Sequence, residues 1–481
     1  MRRLVLVSNR LPITVRSEHG RATVARSTGG LASALRAPHE LSGGVWVGWP
    51  GDVSRLSPDD RAQTDVAIGA LNCVPVHLTA SEIAHYYDGF SNGVLWPLLH
   101  YRIDKVNLDA ERDWAVYEAV NRRFAQRVAA VWRPGDLVWV HDYQLALVPQ
   151  MLRELVPDAA IGFFLHVPFP PGELFNVLPW RSEIIRGILG ADVVAFHTEG
   201  YRRNFCGAAA HLVGHDRGAP TLSWGGRSVR ISVAPIGVDA AALEGLAGSA
   251  EVERETSRLV AEARGKQIVL GVDRLDYSKG IPRRLLAYDR CLTRHPSLRE
   301  KVLFVQLAVP TREKVDAYAE LRRDVNELVG RINSHHGTAT AGPVQLLYRS
   351  LPLTQLVGLY RAADVMAVTA LRDGMNLVAK EYVATRIDGD GVLVLSEFAG
   401  AAAQLREALI VNPYDLGAVS SALVTALEMP VAERRARMRA LRSEVANADV
   451  GAWVASSLEE LDAARPHRAV VPGDAVATGT R

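Results

Sequence analysis

Cysteine is scarce in this chain. There are only three, Cys73, Cys206 and Cys291. They are odd in number, far apart and in no metal-ligand spacing, which argues against a disulfide framework or a cysteine zinc site and leaves three reduced thiols in the core. A charge bias is also missing: 55 Lys and Arg stand against 53 Asp and Glu, for a formal net charge of +2. So small a surplus gives no reason to expect nucleic acid or a membrane surface as a partner, and any preference for anions must be local. No uncharged apolar run approaches the about 18 residues a spanning helix needs. The start, MRRLVLVSNRLP, imitates a signal peptide, but its apolar run is broken by Ser8, Asn9 and Arg10 and reads as a first strand. A soluble, cytoplasmic protein is expected. There is no internal repeat and no low-complexity tract.

What is present is length and alternation. A chain of 481 residues, 48% apolar and 22% charged, is too long for one hydrophobic core. Short β-branched and apolar runs alternate with helix-period segments, the pattern of βαβ units around parallel sheets. Strands are expected at 3–8, 136–141, 160–166, 191–197, 229–235, 267–272, 302–308, 344–348, 364–370 and 391–396. They form two series, separated after APIGVD (234–239) by an Ala/Glu/Arg-rich helical segment, where the domain junction is placed. The tail 466–481 lacks periodicity and is expected to be a mobile terminus.

In doubly wound sheets ligands bind at the carboxyl ends of the strands, and here nearly every such exit is polar. Ser8-Asn9-Arg10 follows the first strand, Asp142-Tyr143 the second and His166 the third; Arg312 follows 302–308. The stretch GVDRLDYSKGIPRR (271–284) sets Arg274 and Lys279 between a strand and a helix opened by Pro282, with Leu285, Tyr288 and Leu292 on one face. A forked guanidinium and an ammonium beside unpaired helix-start amides can grip a diphosphate. In LRDGMNLVAKE (371–381), Gly374 permits close backbone approach before a second helix start, and Glu381 could accept from a ribose diol. Each residue also has a bland reading: Asp276 could pair with Arg274 on a surface loop, Asp142 could cap a helix, His166 could be a satisfied core histidine and Trp96 a core aromatic. Six strand exits carrying a charge or a histidine favour a shared site.

The segments SNRLP (8–12), TGGL (28–31), WVGWPG (46–51), YYDGFSNGVLWP (86–97), VHDYQL (140–145), GFFLHVPFPP (162–171), RLDYSKGIP (274–282), GRIN (330–333), LRDGMNLVAKEYV (371–383) and VLSEFAGAA (394–402) carry a more specific signal. In this order, over residues 3–455, the chain resembles the trehalose-6-phosphate-forming retaining glycosyltransferases of family 20. The resemblance implies an α/β chain of GT-B fold, with two Rossmann-like doubly wound domains facing a central cleft. Residues 1–238 would bind the acceptor, 239–455 the nucleotide sugar, and 456–481 would be the end of a crossover helix and a mobile tail.

It further implies transfer of glucose from UDP-glucose or GDP-glucose to glucose 6-phosphate, with no cofactor and no metal. Arg10, Tyr87 and Arg312 would hold the acceptor phosphate, Asp142 its hydroxyls, and Trp96 with Val167 would select its anomer. On the donor side, Gly29 and Gly30 would close over the diphosphate gripped by Arg274 and Lys279, His166 and Asp373 would hold the glucose, and Leu351 would meet the base through its backbone. Gly374, Met375, Asn376, Leu377, Val378, Ala379, Lys380 and Glu381 match the donor segment, with backbone amides on the diphosphate and Glu381 on the ribose. On this resemblance Asp142, His166, Arg274, Lys279 and Asp373 would form the catalytic group. Retention without an evident carboxylate nucleophile suggests front-face transfer. No carboxylate pair is arranged like the DxD of metal-dependent transferases.

Two alternatives stay open: a pseudo-glycosyltransferase joining a nucleotide cyclitol to an aminocyclitol phosphate, and a non-catalytic sugar-phosphate sensor. A homo-oligomer is compatible with either reading.

Overall fold

A computed structural model describes residues 2–464 apart from 19–20, 27–29, 54–55, 214–219 and 313–314. Gly29 and the tail lie outside the described residues. The strands are β1 (Leu4–Arg10), β2 (Ile13–Glu18), β3 (Arg21–Arg26), β4 (Val45–Trp49), β5 (Cys73–Pro75), β6 (Leu137–His141), β7 (Ala160–Leu165), β8 (Val193–Phe196), β9 (Thr221–Trp224), β10 (Arg227–Val233), β11 (Gln267–Arg274), β12 (Val302–Val309), β13 (Val344–Leu347), β14 (Val365–Val368), β15 (Val392–Ser396) and β16 (Leu409–Val411). Eight form one sheet in the order β5-β4-β1-β6-β7-β8-β10-β9, six form a second in the order β13-β12-β11-β14-β15-β16, and β2 and β3 make a separate hairpin. All pairings are parallel except β9–β10 and β2–β3.

Strand order reverses near β1 in the first sheet and β11 in the second, the switch points at which such sheets open a crevice. Helices cover both faces at the centre of each sheet, so the inner strands are apolar throughout, while β9 and β10 at one edge alternate between buried and exposed positions. Along β1, Leu4 and Leu6 join one apolar cluster while Val5 and Val7 join another; along β11, Ile268 and Leu270 part from Val269 in the same way. Each cluster runs through both domains. All three cysteines are buried and free.

The expected helix opened by Pro282 is Ile281–Arg294, with Leu285, Tyr288 and Leu292 buried. The last helix, Val450–Ala463, returns to the first sheet: Trp453 packs its ring 5.1 Å from those of both Trp139 and Phe164 and donates from Nε1 to the Ala234 carbonyl at 3.2 Å. Among the described residues no single helix is long and apolar enough to cross a membrane.

Candidate active site

The strand exits of the two sheets meet in one cleft. On the first-sheet side, Arg10 ends β1 with its guanidinium 4.6 Å from the Trp49 ring centroid, and the Tyr87 ring lies 5.7 Å from the same indole. Burial lowers the Arg10 pKa, while the Tyr87 hydroxyl works against that shift. Tyr87 and Trp96 hang from an unusual element, a π-helix over Ile83–Leu95 that runs directly into Trp96. Such wide turns are rare and mark functional sites. This one is pinned twice, by Tyr86 donating to Asn9 Oδ1 and by Asn92 Oδ1 accepting from Tyr143, each at 2.9 Å.

Arg312 crosses the cleft. It follows β12 in left-handed backbone geometry, φ 47°. Its guanidinium lies 4.0 Å from the Trp96 ring centroid and donates to the Tyr318 hydroxyl at 2.6 Å, to Asp276 Oδ2 at 3.3 Å and to the Tyr143 hydroxyl, on the first domain, at 3.2 Å. Arg274 faces the same indole at 5.2 Å. Burial works against charge on Asp276, but Arg312, Arg274 and Lys279 prevail and hold its carboxyl well below the usual range. Asp276 therefore serves Arg312 and Tyr318 through hydrogen bonds rather than forming a surface pair with Arg274.

Asp142 leaves β6 at φ 76°, a conformation a non-glycine residue adopts only when its surroundings dictate it. Burial pushes its carboxyl up to about 6, against the amides of Tyr143 and His166 and the charges of Arg274 and Arg312. His166 Nε2 lies 3.1 Å from His141 Nδ1. Burial, reinforced by His197, drops the His166 pKa well below its ordinary value, so the imidazole is neutral near pH 7. Val167 beside it is buried.

On the second-sheet side, Lys279 sits on a short 3₁₀ turn and donates from Nζ to Asp373 Oδ2 at 2.5 Å; Asn376 donates to the same oxygen at 2.9 Å. Burial opposes the Asp373 charge, and Lys279 more than offsets it. Asn376, at φ 74°, caps the helix Leu377–Thr385 by accepting from the Ala379 amide at 3.1 Å. A Cβ on Gly374 would stand 2.1 Å from the His166 carbonyl oxygen, so only glycine lets the two domains approach there. Met375 is buried and its carbonyl accepts from the Ala401 amide at 2.8 Å. Glu381 Oε2 accepts from the Tyr360 hydroxyl at 2.9 Å, and burial raises the Glu381 pKa. Leu377, Val378 and Leu351 are partly buried against the second core, and Gly30 opens the helix Gly30–Leu41.

One side chain of the expected donor segment points elsewhere. Lys380 is buried and donates to the Ile236 carbonyl at 2.6 Å and Gln404 Oε1 at 2.7 Å, tying the interdomain connection to the second domain. It has only its backbone to offer a ligand.

Sequence reasoning passed over the residues that hold this set in place. Arg284, fully buried, grips Asp273 at 2.5 Å, Thr369 at 2.9 Å and the Lys279 carbonyl at 3.2 Å, which fixes the turn bearing Lys279. Its one signal was an arginine on the apolar face of the helix after Pro282. Among the described residues, Asp289, His335 and His336 group their ligand atoms within 4.8 Å. His335 and His336 end the helix Asp316–His336, so this cluster lies away from the strand exits and does not serve the cleft.

Two doubly wound sheets, joined by a connector and a returning last helix, with cations from both gathered at opposed strand exits, define a two-domain glycosyltransferase of the GT-B class. The chain belongs to glycosyltransferase family 20, whose model matches residues 2–463. A trehalose-6-phosphate synthase of Mycobacterium avium (strain 104) is 46% identical over 473 residues, covering 96% of each chain. A UDP-forming alpha,alpha-trehalose-phosphate synthase of Burkholderia xenovorans, solved in complex with glucose-6-phosphate, is 34% identical, with a TM-score of 0.85 over 96% of this chain and 100% of that one. A trehalose-6-phosphate structure from E. coli, bound with UDP-2-fluoro glucose, is 35% identical, with a TM-score of 0.85 over 95% and 98%. The chain is an enzyme of this family.

Proposed function

We propose that this enzyme transfers glucose from a nucleoside-diphosphate glucose to the anomeric hydroxyl of glucose 6-phosphate, giving α,α-trehalose 6-phosphate with retention and without a metal. The observation that carries this reading is the division of charge in the cleft. Arg10 and Arg312 frame Tyr87 and Trp96 as an acceptor-phosphate pocket, while Arg274, Lys279 and the 377–385 helix start make a diphosphate cradle. The ligands named for the Burkholderia and E. coli relatives support the two halves of the assignment.

In front-face transfer the bond between the anomeric carbon and the leaving phosphate oxygen breaks, and the acceptor hydroxyl bonds to the same face of that carbon. The hydroxyl proton passes to the leaving phosphate. Negative charge grows on the diphosphate, where fixed cations and helix-start amides lower its energy. Positive charge grows on the sugar ring, which the neutral His166 does not oppose. Asp142, accepting from acceptor hydroxyls, orients the nucleophile; Asp373 orients the donor sugar and steers Lys279. No side chain need take the proton.

The test is an end-point assay of glucose 6-phosphate with UDP-glucose, GDP-glucose and ADP-glucose in separate arms, in chelator, reading released nucleotide and disaccharide phosphate. Product in any arm supports the reading. No product in any arm, with and without added magnesium, would sink it. The names of the two solved relatives put UDP-glucose first in order of trial.

A further inference from the structure

We propose that Tyr201 and Tyr101, both on the first-sheet side of the cleft, are positioning residues that shape the donor loop 371–376 from across the domain boundary. The inference rests on the donor-side assignment above.

Tyr201 lies on the helix Glu199–Val213, which follows β8 of the first sheet, and its ring is buried. Its hydroxyl donates to the backbone carbonyl of Asp373 at 2.9 Å, across 172 residues of sequence. The next residue back, Arg372, is clamped between rings from each domain, its guanidinium 4.1 Å from the Tyr101 centroid and 4.7 Å from that of Phe398. Tyr101 holds a left-handed backbone at φ 63° and is fixed at its far end, donating to the Phe169 carbonyl at 3.0 Å and receiving Asn204 Nδ2 at 3.1 Å. Asn204 sits one turn from Tyr201 on the same helix. The following residue, Gly374, abuts the His166 carbonyl. Three consecutive residues, 372 to 374, are thus each set by a group of the first domain.

Four of the six described non-glycine residues with positive φ, namely Tyr101, Asp142, Arg312 and Asn376, border this cleft. Backbone strain gathers where geometry is imposed for function. A pair that merely glued the domains would lower stability and weaken every ligand alike. A pair that sets Asp373 should weaken ligands that carry the sugar more than those that lack it, because Arg274 and the helix-start amides hold the diphosphate independently while Lys279, bonded to Asp373, shifts with it only in part.

The experiment compares binding of a nucleoside diphosphate and of the corresponding nucleoside-diphosphate glucose by calorimetry, with steady-state kinetics for both substrates. In Tyr201→Phe, which removes one oxygen, affinity for the sugar nucleotide should fall about tenfold, as the loss of one buried hydrogen bond predicts. Affinity for the nucleoside diphosphate and the KM for glucose 6-phosphate should stay within about twofold. Tyr101→Leu, which loses the ring under Arg372, should reproduce the pattern, and Tyr101→Phe should largely restore binding. Equal weakening of both nucleotides, or no change in either variant, would overturn the proposal. A wild-type enzyme that neither binds nor turns over any sugar nucleotide would instead overturn the functional reading beneath it.

Discussion

Arg312 is poised by its neighbours before any ligand arrives. Burial opposes its charge, yet Tyr143, Tyr318 and Asp276 together raise its pKa further, so it stays cationic at every working pH. A phosphate gripped by such a cation gains charge-assisted bonds worth about 1.5–3 kcal/mol. Arg312→Ala should therefore raise the KM for glucose 6-phosphate by roughly ten- to a hundredfold and leave that for the donor nearly unchanged; equal effects on both would refute the acceptor assignment. Lys279→Ala should nearly abolish turnover, because Asp373 would lose its main counter-charge beside the diphosphate, while glucose 6-phosphate binding measured alone should persist. Asp142 offers a pH test. Its folded pKa of about 6 lies above the unfolded value, so its contribution to stability is full below pH about 4 and is lost as pH rises through about 6. On the proposed role of Asp142, acceptor binding has the opposite trend, since only the carboxylate accepts from two hydroxyls: the KM for glucose 6-phosphate should climb below pH about 6. Asp142→Asn, which keeps the shape of the side chain but cannot ionise, should flatten both trends.

At the scale of elements, all ten strands expected from the sequence are present, because most are covered on both faces and nearly continuous in apolar residues, while β10 shows the alternation of a half-exposed strand. Six others escaped notice for identifiable reasons. β5 and β16 have three residues each, β9 is an edge strand, the hairpin β2–β3 is rich in polar residues, and β4 hides in the aromatic and glycine-rich WVGWPG. The site was legible to the extent that it lies at strand exits: Arg10, Asp142, His166, Arg274, Arg312 and Asp373 all follow a recognised strand. Pairings such as Tyr143–Arg312 and Tyr201–Asp373 could not be read, because their partners lie 169 and 172 residues apart with no local pattern linking them. Lys380 shows the converse, a motif position whose side chain faces the interior. Gly374 tests the loop directly. Gly374→Ala would drive a methyl into the His166 carbonyl, and the domains would have to part locally. Turnover should fall at least tenfold and the melting temperature should drop; a wild-type profile would show that the contact is not needed.

For the molecule as a whole, the first domain is not finished by its own sequence. The helix Val450–Ala463 supplies Trp453, which covers Trp139 and Phe164, and Leu461, whose side chain lies against Gly162. Trp453→Ala should destabilise the enzyme by about 3–5 kcal/mol, the usual cost of deleting a large buried aromatic. Thermal denaturation monitored by tryptophan fluorescence would register it, and an unchanged midpoint would show that the last helix is dispensable.

That returning helix also bears on how the protein is made. A ribosome delivers the strands of the first sheet early, yet the apolar surface around Trp139 and Phe164 stays open to water until the last helix has emerged. At usual elongation rates of about 5–20 residues per second, the stretch from Phe164 to the end of that helix is a wait of about 15 to 60 seconds. During that interval the nascent first half presents an aromatic patch that a chaperone can cover, and a truncated transcript would leave the patch exposed for good.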